Sequence, residues 1–187
     1  MGDMRKDYVL ERLVIVSPDG DKKTDPKKCA FCPGNEAMTN PSLLSLVAKD
    51  GMLKRLQDSE DSYVEDWSVR VFESRTPAVS ITNENTYSDR PLYSEPAYGY
   101  HYVVVASSNH KDSLATISSE QWSNILVVIQ DRLRWLYTQK GVTYVSIYVN
   151  HGKDSGASIL HPHINMVTFS TIPPTIEEEA EASHKIL

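Results

Sequence analysis

Apolar residues in this chain fall mostly in short runs punctuated by turn-forming clusters, a pattern of strands more than of helices. Val9 to Val16 is predominantly apolar and ends on Ser17-Pro18-Asp19-Gly20, which reads as a strand closed by a turn. From Ala37 to Glu65 the periodicity is weak, and the segment predicts a short helix over Pro41 to Arg55 followed by an Asp-, Ser- and Glu-rich linker. Trp67 to Phe72 and Ala78 to Thr82 read as short strands, and Asn83 to Tyr98, with Pro91 and Pro96, as a long surface loop. Tyr100 to Ser107 is a β-branched strand. Ser118 to Lys140 is the clearest helix, opened by Ser118 with Gln121 three residues on and stopped by Gly141. Its core-facing stripe is Trp122, Ile125, Leu126, Ile129, Leu133 and Leu136. Thr143 to Val149 and His163 to Phe169 read as two further strands joined by a polar loop of small residues. Strands outnumber helices and most links are too short for crossover helices, so the expected class is α+β, an antiparallel sheet with one long helix packed on it.

Length and charge narrow this. The 187 residues suit one well-packed core, so 1–187 is read as a single domain. The longest aliphatic run, Ile125 to Ile129, is far too short for a bilayer, and no membrane association is expected. A net charge of −6 disfavours nucleic acid as a partner, so any phosphate must be held by a local site. The N-terminal residues lack an apolar signal segment, which predicts a cytoplasmic protein. In a reducing compartment, Cys29 and Cys32 are a metal half-site or a redox pair; as thiolates they supply two ligands to a tetrahedral ion, and spacing alone does not choose the other two.

Five of the six histidines lie between residues 101 and 163, and the stretch from Asn150 to Asn165 is the densest chemistry in the chain. On an extended strand His163 and Asn165 project from one face, about 6–7 Å apart. The preceding loop offers Gly152 and Gly156, where backbone can approach a ligand closely, and the hydroxyls of Ser155 and Ser158, the makings of a phosphate cradle. Neutral imidazole is a competent nucleophile at phosphorus, so a histidine beside such a cradle points to nucleotidyl or phosphoryl transfer.

The runs "CAFCPGNE", "DWSVRVF", "GYHYVVVASSNH" and "NHGKDSGASILHPHIN", in this order and over nearly the whole chain, resemble the galactose-1-phosphate uridylyltransferase family of the histidine-triad superfamily. Family members carry two tandem histidine-triad-like halves, and the resemblance covers the first only. It implies a histidine-triad-like fold with a zinc-binding N-terminal loop at about 20–36, and an enzyme of galactose and carbohydrate metabolism. His163, the second histidine of "HPH", falls on the family's nucleophile. It would take a nucleoside monophosphate from a nucleoside diphosphate sugar and pass it to a sugar 1-phosphate, with ping-pong kinetics. Asn150 and Ser158, with Gly152, Ser155 and Gly156 between, match phosphate-holding positions. The resemblance completes a structural Zn2+ site with His110 and His161 beside Cys29 and Cys32.

Three departures are visible. Asn165 stands where the family has a glutamine that contacts the transferring phosphoryl group. Lys22 and Lys23 lie where paired arginines are usual. Arg75 is a candidate nucleotide contact in a stretch that departs from the family near Ser74. His101, His151 and His184 are read as ordinary histidines. Alternative functions are a nucleotide phosphorylase or hydrolase working through the same intermediate, and a non-catalytic zinc-stabilised nucleotide-binding module. A homodimer is expected, covering an apolar strand edge.

Overall fold

The computed structural model describes residues 2–10, 12–16, 28–49, 51–82, 87–89 and 91–185. The turn at Ser17 to Gly20, the lysines 22 and 23 and the first part of the expected zinc loop, 20–27, lie outside the described residues, as do 83–86 and 90 of the long loop.

The first strand expected, Val9 to Val16, is instead the second arm of a hairpin: β1 (Asp3–Asp7) pairs antiparallel with β2 (Arg12–Val16). Asp7 makes the turn by accepting from the amides of Val9 and Leu10, which ends the first arm where the apolar run begins. The expected helix over Pro41 to Arg55 is also a hairpin, β3 (Ser42–Lys49) and β4 (Met52–Leu56), closed at the Lys49↔Met52 pair with Gly51 at φ +73°. β3 is covered on both faces, so its apolar residues run together instead of alternating and mimic a helical cluster. β5 (Trp67–Glu73), the short β6 (Ser94–Pro96), β7 (His101–Val105), α1 (Ser119–Leu136), β8 (Tyr144–Tyr148), β9 (His163–Phe169) and α2 (Pro174–His184) follow.

Ala78 to Thr82 forms bends and a turn, held by the Ser80 amide on the Ala97 carbonyl, and is not a strand. α1 begins as expected, with the Ser118 hydroxyl accepting from the Gln121 amide. It stops a turn before Lys140, with Tyr137 as its C-cap. Its buried apolar stripe is Ile125, Val128, Ile129 and Leu136, whereas Leu126, expected inside, is 57% exposed. α2 was not foreseen; Pro174 opens it, and none of its residues is buried.

Two antiparallel sheets result, β2-β1-β6 and β4-β3-β5-β7-β9-β8, in an α+β arrangement. α1 packs on one face of the six-stranded sheet, where Leu44, Leu46, Val69, Val71, Tyr102, Val104, Ile164 and Met166 meet its stripe. Gln121 ties helix to sheet by donating to the carbonyls of Ser68 and Ala106. The opposite face carries a second cluster, Phe31, Val47, Trp67, Phe72, Val103 and Val105. Strand alternation therefore sends Tyr102, Val104, Ile164 and Met166 towards α1, and leaves the odd-numbered residues of β7 and β9, including His101, His163 and Asn165, for the other face.

Candidate active site and metal centre

On the face away from α1, three segments distant in sequence converge. Cys29 and Cys32 sit on a tight turn in which the Cys32 amide donates to the Cys29 carbonyl and the Phe31 amide to the Cys29 sulfur, at 3.3 and 3.4 Å. His110 comes from the loop after β7, and His161 from the residues leading into β9. Their donor atoms all lie within 4.8 Å of one another. Cys32 Sγ is 3.4 Å from His110 Nδ1 and 3.6 Å from His161 Nδ1. Two ligands of a tetrahedral zinc-like ion, at about 2.3 Å (S) and 2.05 Å (N), stand about 3.5 Å apart, so these spacings fit one ion at their centre.

The ligand tautomer is set as well. His161 is fully buried and its Nε2 lies 2.7 Å from the Ser107 carbonyl. A carbonyl only accepts, so Nε2 carries the proton and Nδ1 presents its lone pair to the cysteine cluster. Ser107 is itself held, its hydroxyl donating to Asp112 and accepting from the Asn109 amide. Burial, with the neighbouring Cys29 thiol, pushes the Cys32 thiol up to about 11. Without a cation this sulfur therefore stays protonated near neutrality, and metal capture must displace its proton. These four residues can hold a metal ion.

β9 starts two residues beyond His161. His163 Nδ1 lies 2.8 Å from the His161 carbonyl, so by the same reasoning Nδ1 is the protonated nitrogen and Nε2 the free base. Burial pulls this imidazole below the ordinary histidine range, against the opposing effect of that hydrogen bond. The Phe31 ring meets it edge-on, with centroids 5.2 Å apart, and also touches Phe72 and His161. Phe31 sits between the two cysteines in sequence, so one short turn serves both the metal cluster and the histidine. That role was not legible from a lone aromatic residue between two thiols.

Asn165 is 8% exposed and projects beside His163 on the same face. Its Oδ1 lies 3.2 Å from Nε2 of His101, whose Nδ1 accepts from the Ala78 amide at 3.1 Å. His101, read from sequence as an ordinary histidine, thus belongs to this site. The β7–β9 register that brings it there was not readable from either strand alone.

The loop between β8 and β9 contains a 3-10 turn at Lys153–Ser155. Gly152 and Gly156 have φ of +79° and +81°, and each faces open space where a side chain would begin. The Ser155 hydroxyl donates to the carbonyls of His151 and Gly152. Asn150 is half-buried at the start of this loop, and Ser158 is exposed further along it. Arg75 donates through Nη2 to the carbonyls of Ala37 and Thr39, which ties it to the segment after the cysteines and leaves Nε and Nη1 for any other contact. His151 and His184 are exposed and lie outside these clusters.

Comparison with known proteins gives the setting. The chain is 28% identical over 198 residues to the ADP-glucose phosphorylase of Arabidopsis thaliana, covering 97% of this chain and 52% of that protein. It is 31% identical over 123 residues to the galactose-1-phosphate uridylyltransferase of Thermotoga maritima, covering 65% and 39%. The solved structure of an Arabidopsis thaliana ADP-glucose phosphorylase with bound ADP-glucose superposes with a TM-score of 0.67 at 26% identity, covering all of this chain and 54% of that one. The chain spans about half the length, or less, of these relatives. Residues 53–173 match the family model described as galactose-1-phosphate uridyl transferase, N-terminal domain, and the chain belongs to that family.

Proposed function

We propose that the chain works as one histidine-triad-like domain that transfers a nucleoside monophosphate through His163. Nε2 attacks the α-phosphorus of a nucleoside diphosphate sugar. The N–P bond forms while the bond from phosphorus to the bridging oxygen breaks, and its electron pair leaves on the sugar 1-phosphate. The ring becomes cationic, and its Nδ1–H remains on the His161 carbonyl, which stabilises the charge. A phosphate oxygen of the acceptor then attacks the same phosphorus and the N–P electron pair returns to Nε2. The observation that carries this reading is the 2.8 Å contact from Nδ1 to a carbonyl, because it commits one nitrogen and frees the other.

Asn165 donates its amide to the oxygens of the transferring phosphoryl group, where charge develops. Asn150, Gly152, Ser155, Gly156 and Ser158 hold the phosphates, and Arg75 reaches the nucleotide. Cys29, Cys32, His110 and His161 would hold Zn2+ through two thiolates and two imidazoles, and such a four-ligand site would supply cross-linking and no reactive water. A second copy of the chain covers the outer strand β8, where Ile147 and Tyr148 are about 40% exposed, giving a homodimer. No helix among the described residues is long and apolar enough to cross a membrane; a cysteine pair not joined as a disulfide suits the reducing cytoplasm.

The acceptor is a sugar 1-phosphate, as the family name indicates. A second reading, phosphorolysis with inorganic phosphate as acceptor, is favoured by the relative that matches 97% of the chain and is named a phosphorylase. Intact-protein mass spectrometry after brief incubation with UDP-glucose or ADP-glucose tests both. The expected result is one added nucleotidyl mass, absent in His163→Ala. Release by sugar 1-phosphate supports transfer, release by phosphate supports phosphorolysis, and release in water alone sinks both in favour of hydrolysis. A folded, metal-loaded protein that forms no adduct is a binding module instead.

A further inference from the structure

We infer that His101 is a positioning residue, which turns the Asn165 amide so that its N–H groups, and not its oxygen, face the phosphoryl group at His163. The inference rests on the reading of His163 as nucleophile and deepens it. Its basis is a chain of donors and acceptors that admits one arrangement. The Ala78 amide lies 3.1 Å from His101 Nδ1. A backbone amide only donates, so Nδ1 is the lone-pair nitrogen and the neutral ring carries its proton on Nε2. Nε2 lies 3.2 Å from the side-chain amide of Asn165, and an N–H there requires an acceptor, so the atom facing it is Oδ1. The other arm of the amide, Nδ2 with two N–H groups, is then left for a ligand. No group among the described residues takes it up.

The fold supplies the geometry. In the β7–β9 pair, Val103 is opposite Asn165, Val105 opposite His163 and His101 opposite Val167. His101 is therefore the diagonal neighbour of Asn165 on one side, with His163 next to Asn165 along its own strand on the other. Burial holds the His101 ring below the ordinary histidine range, ahead of the opposing effect of its bond to Asn165 and the further lowering by His163. Protonation would set an Nδ1–H against the Ala78 N–H, so the neutral ring is the one this site accepts. A primary amide is otherwise free to flip, and a flipped Asn165 would present an oxygen to phosphoryl oxygens and repel them. His101 removes that choice before the substrate arrives.

The test is a double-mutant cycle on the single-turnover rate of nucleotidyl-His163 formation from ADP-glucose and UDP-glucose, with the dissociation constant of each donor measured on His163→Ala versions. His101→Phe keeps a ring and removes the donor; the expected outcome is a rate about 10- to 100-fold lower with donor affinity within about threefold. His101→Gln restores an N–H in reach of Asn165 and is expected to recover most of the rate. In the Asn165→Ala background, His101→Phe is expected to change the rate by less than about twofold. An unchanged rate in His101→Phe, or a loss that persists in full in that background, overturns the proposal. If the parent forms no adduct, the nucleophile reading fails, and long-range 1H–15N spectra of the imidazoles judge His101 separately. An Nε2–H tautomer whose Nε2 resonance moves in Asn165→Ala supports the pairing, and an Nδ1–H tautomer overturns it.

Discussion

His161 and His163 are two residues apart, yet each has the opposite ring nitrogen committed to a carbonyl. His161 donates from Nε2 to Ser107 and offers Nδ1; His163 donates from Nδ1 to His161 and offers Nε2. The same side chain thereby turns a lone pair to the cysteine cluster at one position and is a free base at the next. Strand alternation made the pairing of His163 with Asn165 legible in sequence, because it needs only the run that follows Pro162. The tautomers are not legible there, since they depend on carbonyls that the fold alone brings near, and neither is the role of His101, whose partners come from Ala78 and β9. The role of Phe31 is illegible in sequence for the same reason. Its ring is 8% exposed and braces His163, Phe72 and His161 together. Phe31→Ala is expected to cost about 3 kcal/mol of stability by opening a cavity there, and to slow adduct formation as the His163 ring loses its support. Phe31→Leu, which refills most of the volume, should recover most of the stability in a denaturant melt. A Phe31→Ala protein with a parent-like melt and rate would remove Phe31 from the site.

Elements are legible where a clear boundary marks them and illegible where a continuous apolar run carries no strand period. β9 falls on the residues expected, His163 to Phe169, and α1 starts at the expected cap, because each carries a clean period and a clear boundary. β3 reads as a helix in sequence because α1 covers one face while the cluster around Val47 and Trp67 covers the other, and the resulting apolar run has no strand period. That buried hairpin region also contains an ion pair. Arg70 on β5 meets Asp58 just past β4 at 2.6 Å, with side chains 2% and 0% exposed, and also donates to Thr39. Burial on its own would raise the Asp58 carboxyl, but amides of Val64 and Ser42 and the Arg70 guanidinium outweigh it and hold the group below its usual range. A carboxylate with a lowered folded-state pKa stabilises the fold above its unfolded value and loses that contribution as the pH falls through the folded one. The melting temperature should therefore drop as the pH goes below about 4, the usual carboxylate range. Asp58→Ala, which strands Arg70 as a buried unpaired charge, should cost about 3–5 kcal/mol near neutral pH. An Asp58→Asn protein with the parent's full acid sensitivity would assign that sensitivity elsewhere.

At the scale of the whole molecule, the candidate metal centre is where distant parts of the chain meet. Its candidate ligands come from the cysteine turn, the loop between β7 and α1 and the entry to β9, with His110 78 positions and His161 129 positions beyond Cys32 in sequence. The Cys-x-x-Cys pair was legible as half a site, but only the fold brings the other half to it. Of these connections, the cysteine turn has no place in either sheet and is held to the site face by Phe31 and the sulfur contacts. An ion binding the folded cluster stabilises the native state by mass action, about 2.7 kcal/mol when free metal is a hundredfold above its dissociation constant. For a chain of this size that corresponds to a melting temperature about 5–10 °C higher. Chelation should lower the melt by about this amount, added zinc should restore it, and uptake near neutral pH should release a proton as the Cys32 thiol gives way to a metal–sulfur bond. Cys32→Ser should melt like the chelated parent and fail to respond to zinc. Phe31 lies in the cysteine turn and meets the His163 ring, so an ion held at the cluster would also steady that ring: the chelated protein should form the proposed His163 adduct more slowly, even though no step of the proposed transfer passes through the metal. A chelated protein that melts lower but reacts at the parent rate would confine the ion to stability and detach the cysteine turn from the positioning of His163.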